Sequence, residues 1–203
     1  MSSHRSRRRF AQNFLVDREV IRSIIGLVRP KKGEVVVEIG PGRGALTNGL
    51  VAGLERLVAV EIDRDLAAML HERLGAKGLH LIEGDILEVD LGQVLRDEGG
   101  DRLLIVGNLP YNITAPLIFH FLAQADHIDR AVIMVQREVA QRLVATPGSK
   151  DYSLLSVLVR MRAEVEMRLQ VGRHCFRPSP SVDSAFVELR FADGPRFPVE
   201  DAA

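Results

Sequence analysis

Val35-Val36-Val37-Glu38-Ile39-Gly40-Pro41-Gly42-Arg43-Gly44 decides how this chain folds. The β-branched run reads as a buried strand, and the glycines after it read as a turn stripped of Cβ atoms, where a ligand can approach the backbone. Ala45 to Leu54 then reads as a helix whose N-terminus presents free amide groups to that turn. A dinucleotide-binding loop would read Gly-x-Gly-x-x-Gly, whereas this one reads Glu-x-Gly-x-Gly-x-Gly. Working outward, Leu57-Val58-Ala59-Val60 forms the next strand and ends at Glu61-Ile62-Asp63. Glu61 stands 21 residues beyond Gly40, near the spacing at which a carboxylate reaches both hydroxyls of a ribose. A third strand, Leu79-His80-Leu81-Ile82, ends at Glu83-Gly84-Asp85, where Asp85 offers a hydrogen-bond acceptor at the same edge. Three strand ends thus converge on one ligand site; the plainer alternative leaves Glu61 and Asp85 as solvated loop acids.

The same alternation continues along the chain. Arg64 to Leu74 reads as helix, Leu103 to Gly107 as strand, Thr114 to Ala123 as helix and Ala131 to Gln136 as strand. Such a pattern predicts an α/β fold with a mostly parallel sheet covered on both faces. Before it, Asp17 caps a helix whose Val20, Ile21, Ile24, Ile25 and Val28 make a core-facing stripe ending before Pro30. After it, Glu164 to Val171 and Ala185 to Phe191 read as strands joined without a helix, hence antiparallel.

Asn108-Leu109-Pro110-Tyr111 sits directly after the apolar run Leu103 to Gly107, just outside a strand's carboxyl end, where open α/β sheets bind ligands. Asn108 offers an amide oxygen, Pro110 stiffens the turn so that a backbone carbonyl can be aimed, and Tyr111 presents a flat ring for a nucleobase. An aromatic amine needs such acceptors, because its nitrogen lone pair is delocalised until they localise it toward an electrophile. The four residues alone also fit an ordinary strand-to-turn junction.

Composition narrows the class. A chain of 203 residues with 46% hydrophobic content can bury a substantial core within one domain. No apolar stretch is long enough to span a bilayer, and Met1 to Arg9 is too polar for a signal peptide, so a cytoplasmic location is expected. The single cysteine, Cys175, cannot close an internal disulfide, and with adjacent His174 it lacks a second pair to complete a metal site; no metal is expected. A formal net charge of zero excludes binding of nucleic acid through an overall positive field, so any such grip must be local. Arg5, Arg7, Arg8 and Arg9 form a basic arm, and Arg137, Arg142 and Lys150 form a second candidate contact line.

Five ordered motifs carry a family resemblance: Arg9-Phe10-Ala11-Gln12-Asn13-Phe14-Leu15, Gly40 to Thr47, Asn108 to Tyr111, Gln136 to Leu143 with Pro147 to Tyr152, and Phe176 to Ser184. Together they resemble the ribosomal RNA small-subunit adenine dimethyltransferases, nearly end to end. The resemblance implies a class I S-adenosylmethionine-dependent methyltransferase fold, Rossmann-like, with a reversed last strand. It implies methyl transfer to the exocyclic amine of adenine, on two adjacent adenines near the 3′ end of small-subunit RNA, during ribosome biogenesis. Expected cofactor contacts are Gln12, Asn13, Leu15, Gly40, Gly42, Glu61, Ile62, Asp85, Ile86 and Asn108. Expected catalytic residues are Asn108, the carbonyl of Leu109 or Pro110, Tyr111 and Phe176, whose ring would sandwich an extruded adenine against Tyr111. Packing at the sheet edge is the alternative for Phe176.

Two departures accompany the resemblance: Ala11 stands where glycine is usual in the family, and the helical domain usual after the last strand is expected to be missing. The expected organisation is a basic arm with a cofactor-closing motif over 1–16, a catalytic domain over 17–192 and a tail over 193–203. A monomer acting on ribosomal RNA within a small-subunit assembly intermediate is expected. The rival readings are a large-subunit adenine methyltransferase conferring antibiotic resistance and an RNA-binding assembly factor with little turnover.

Overall fold

The computed structural model describes residues 13–197, and every structural statement concerns those residues. Five strands run parallel: β2 (Glu34–Ile39), β3 (Leu57–Glu61), β4 (Leu79–Glu83), β5 (Arg102–Asn108) and β6 (Ile128–Gln136). Against them, β9 (Ser184–Phe191) is inserted antiparallel between β6 and β7 (Ala163–Val171), giving the order β4-β3-β2-β5-β6-β9-β7. This is the mostly parallel α/β sheet with a reversed last strand that the sequence predicts. The short β1 (Phe14–Leu15) and β8 (Phe176–Arg177) form a separate two-stranded sheet that no local periodicity foretells.

Successive residues of each central strand go to opposite faces, as the pleat requires. Val36, Leu104 and Val106 join one core cluster, covered by α1 (Arg18–Leu27), α2 (Thr47–Gly53) and α3 (Arg64–Leu74). Val37, Leu103 and Ile105 join the other, covered by α4 (Leu91–Glu98), α5 (Thr114–Ala123), α6 (Arg137–Val144) and α7 (Leu154–Arg162). Both faces being apolar, the central strands are locked in depth and direction, and their carboxyl ends share one edge.

Two boundaries differ from the sequence reading by more than one residue. α2 begins at Thr47 rather than Ala45, because Gly42 (φ 56°) and Gly44 (φ 84°) hold the preceding segment in left-handed turns. β6 begins at Ile128, earlier than Ala131, because Arg130 enters the sheet as a buried cation. Its guanidinium donates to the Leu27 carbonyl at 3.3 Å and pairs with Glu34 at 3.5 Å and Glu188 at 3.7 Å. Paired in this way, a charge can interrupt an apolar run without ending the strand. At the other end, Ala192 and Arg196 donate backbone hydrogen bonds to Arg162 and Met161, so residues 193–196 return to α7.

Candidate active site

The order β4-β3-β2-β5-β6 reverses between β2 and β5, and at that switch point the strand ends enclose a cavity of about 540 Å³. Asn13, Leu15, Gly40, Gly42, Glu61, Ile62, Asp85, Ile86, Asn108, Leu109, Pro110 and Tyr111 all line it. Residues distributed over nearly a hundred positions of sequence are thus brought to one place by the sheet. Gln12, Arg7, Arg8 and Arg9 lie outside the described residues.

One half of the cavity suits an adenosine. Glu61, only 2% exposed, accepts from the Gly42 amide at 2.8 Å through Oε2 and from the Asp63 amide at 3.0 Å through Oε1. Each oxygen keeps a further lone pair, so the pinned carboxylate can take two ribose hydroxyls. Burial pushes its pKa up, opposed by those backbone hydrogen bonds. Asp85 accepts from the Leu87 amide at 3.0 Å through Oδ1, which leaves its other oxygen for an amine. Ile62, exposed and apolar, and Ile86, buried, offer flat contacts for a base. A Cβ on Gly40 would meet no protein atom within 4 Å, so it would project into the cavity the loop encloses.

Glu38 is a lining residue that the sequence reading leaves out. It is 2% exposed, and its Oε2 has no hydrogen-bond partner; the buried hydroxyl of neighbouring Thr47 also lacks one. Burial raises the Glu38 pKa to about 8, opposed by the nearby Thr47 hydroxyl and amide, which lie outside full hydrogen-bond geometry, and helped by the Glu61 charge. Its signal was present: an acid in the last two positions of an otherwise apolar run, two residues before Gly40.

The other half is built around Asn108, the last residue of β5. Its Nδ2 donates to the Asn13 carbonyl at 3.2 Å. Reversing the amide would set two oxygens against each other, so this bond leaves Oδ1 as the available acceptor. Leu109 buries its side chain in the core at 2% exposure while Pro110 and Tyr111 turn along the wall. The half-buried Tyr111 places its hydroxyl 2.7 Å from Ser184 Oγ.

Phe176 departs from the expected sandwich. It is fully buried in the cluster with Leu15, Cys175 and Phe186, and it does not line the cavity. The cause is the β1–β8 pairing: Leu15 opposes Phe176, both side chains face the core, and Arg177, the next residue of β8, faces the cavity instead. Its role here is packing, as the alternative has it, but within the core rather than at the sheet edge. Cavity-lining cations were likewise missed. Arg18, Arg43 and Arg177 line the mouth, with the Arg43 guanidinium 4.6 Å from the Phe14 ring centre.

The expected second cationic line stands apart from the cavity. Arg137 pairs with Asp183 at 3.8 Å, Arg142 pairs with Glu138 one helical turn away, and Lys150 is exposed on the loop before α7. None of the three is a lining residue.

Fold and cavity together define a class I S-adenosylmethionine-dependent methyltransferase. Comparison with known proteins gives the family. The ribosomal RNA adenine dimethylase family matches residues 3–203, and the chain belongs to that family. It is 46% identical to ribosomal RNA small subunit methyltransferase A of Methylibium petroleiphilum, over 98% of this chain and 76% of that protein. Its counterpart in Pseudomonas aeruginosa is 44% identical, over 98% of this chain and 74% of that one. Among solved structures, the 23S rRNA methyltransferase ErmE superposes with a TM-score of 0.78 at 30% identity, covering 92% of this chain and 73% of that chain. A dimethyladenosine transferase from Plasmodium falciparum superposes at 0.77 with 29% identity, covering 89% and 64%. S-adenosylmethionine is accordingly the methyl donor, and the glycine cradle, the pinned Glu61 and the unpartnered Glu38 oxygen fit it.

Proposed function

We propose that this enzyme dimethylates adenine amines of small-subunit ribosomal RNA, with two adjacent adenines near the 3′ end as its target. The observation that carries the reading is the anchored amide of Asn108 on the wall between the adenosine-binding half and Tyr111. When bound, S-adenosylmethionine supplies an electrophilic methyl group on a sulfonium. Asn108 Oδ1 and a backbone carbonyl at Leu109 or Pro110 accept the two amine hydrogens and turn the nitrogen lone pair toward that methyl. Tyr111 offers the ring on which the base stacks, worth about 1–3 kcal/mol per base. The amine becomes acidic only once methylated, so its proton can leave to water without a strong general base. The second transfer needs the same acceptors to hold a single remaining hydrogen.

Small-subunit RNA is favoured over the large-subunit alternative by the names of the curated relatives, which match at higher identity than ErmE does. The setting we propose is a small-subunit assembly intermediate in the cytoplasm, met by a monomeric enzyme. Among the described residues no helix is long and apolar enough to cross a membrane. Transfer of labelled methyl groups to small-subunit particles, naked small-subunit RNA and large-subunit particles tests this reading. Preference for the small-subunit particle is expected, and preference for large-subunit RNA overturns it.

A further inference from the structure

Tyr111 is held at both ends. Its backbone opens the one-turn segment Tyr111–Ile113, closed by the Ile113 amide donating to the Pro110 carbonyl at 3.1 Å. Its hydroxyl meets Ser184 Oγ at 2.7 Å, across 73 positions of sequence. Ser184 is fully buried and is the first residue of β9. It is paired with Gln136 of β6 on one side and Val171 of β7 on the other, so it cannot shift without breaking two ladders. Neither hydroxyl has another hydrogen-bond partner among the described residues. A phenol oxygen lies on the axis about which its ring flips, so this bond fixes where that axis points. Whichever hydroxyl donates, conjugation keeps the phenol O–H in the ring plane and with it the direction in which the oxygen best accepts, so the bond also orients the plane.

We propose that Ser184 is a positioning residue for methyl transfer: it holds the Tyr111 ring at the tilt that sets the target amine in line with the methyl donor. The inference rests on the reading of Tyr111 as the base-stacking ring. Stacking area survives when the hydroxyl bond is lost, so base binding is largely retained while alignment is not. In-line displacement is sensitive to alignment, because displacements well below the size of a base take the amine out of a near-attack geometry. Ser184 also marks where the loop from Phe176 to Asp183 rejoins the sheet, so the same contact ties that loop to the Asn108–Tyr111 turn.

The test is a double-mutant cycle read by single-turnover transfer to small-subunit particles, at saturating enzyme and cofactor. Ser184→Ala is expected to slow the rate about fivefold to tenfold, the worth of one buried hydrogen bond, with particle affinity within about twofold of the parent. Tyr111→Phe, which keeps the ring and removes the hydroxyl, is expected to give the same loss, and the double variant no more than either single. Losses that multiply in the double variant, or a loss expressed as weaker particle binding at an unchanged rate, overturn the proposal. Should Ser184→Ala fail to fold, Tyr111→Phe reports on the same bond from its accessible side, and a parental rate there overturns it. Tyr111→Ala separates the two levels. Slow transfer in Tyr111→Ala with parental rates in the other variants removes Ser184 and leaves stacking intact. A parental rate in Tyr111→Ala removes the stacking reading itself.

Discussion

The two halves of the cavity are made differently. The adenosine half hangs on strand ends that are neighbours in the sheet, and its key acid, Glu61, is pinned by two backbone amides. The target half is assembled from segments far apart in sequence, each joined to the next by a single side-chain hydrogen bond: Asn13 to Asn108, and Tyr111 to Ser184. One half is set by the fold, and the other by a few contacts laid over it. Substitutions in the first should therefore register as lost cofactor affinity, and in the second as lost rate.

The largest expected effect tests the second half. Asn108→Ala should lower the single-turnover rate about a hundredfold to a thousandfold at saturating cofactor, the usual loss for one donor or acceptor aimed at developing charge. Its melting curve should stay close to the parent, since Asn108 is only partly buried and gives one hydrogen bond. Near-parental turnover would sink the assignment of Asn108 to the amine. Next in size, Glu61→Ala should weaken cofactor binding about tenfold to a hundredfold in calorimetric titration, because charged hydrogen bonds to the ribose are lost. Tyr111→Ala should leave that affinity unchanged. Equal effects of the two substitutions on cofactor binding would erase the division between the halves.

The same division explains what the sequence made legible. Gly40, Glu61 and Asp85 follow directly from apolar runs that end in acids or glycines, and a parallel sheet leaves those ends nowhere to go but one edge. Phe176 is different. A two-residue strand has no periodicity, and its partner β1 lies some 160 residues away, so nothing local says that Leu15 draws Phe176 inward and leaves Arg177 at the cavity. Glu38 was legible in type but not in state. Its residue type is plain, whereas its missing hydrogen-bond partner is a property of the packing around it.

That state has a smaller but distinctive consequence. Burial raises the folded pKa of Glu38 to about 8, well above that of an exposed glutamate. The native protein therefore binds a proton that the unfolded chain has already released, over a window from about pH 4.5 to pH 8. Stability should fall as pH rises through that window, because the unfolded chain gives up the proton first. Glu61, also raised by burial, acts in the same direction. Glu38→Gln removes one of the two titrations, so denaturant melts between pH 5 and pH 8.5 should show a shallower decline and a gain over the parent at the alkaline end. Parallel curves for both proteins would show that Glu38 is ionised in the fold.

The smallest expected effect concerns RNA, and it pits the cavity-mouth cations against the expected line on α6. Each phosphate contact that a cation makes releases counterions, so its removal flattens the salt dependence of binding by about 0.7 to 0.9 in logarithmic slope. Arg142 already spends its charge on Glu138, and Arg137 faces Asp183, so neither is free to neutralise a phosphate without giving up a partner. Among the described contacts Arg43 has no acidic partner: its guanidinium lies over the Phe14 ring, a contact that leaves its charge uncompensated at the cavity mouth. Arg43→Gln should therefore flatten the salt slope for small-subunit RNA by close to one contact's worth, whereas Arg142→Gln should leave it nearly unchanged. Cofactor affinity is measured alongside, because Arg43 also lines the cavity proposed for the cofactor, and the slope change should persist at saturating cofactor. A flatter slope in Arg142→Gln with none in Arg43→Gln would move the RNA path off the cavity mouth and onto α6, which carries two residues of the second contact line expected from the sequence.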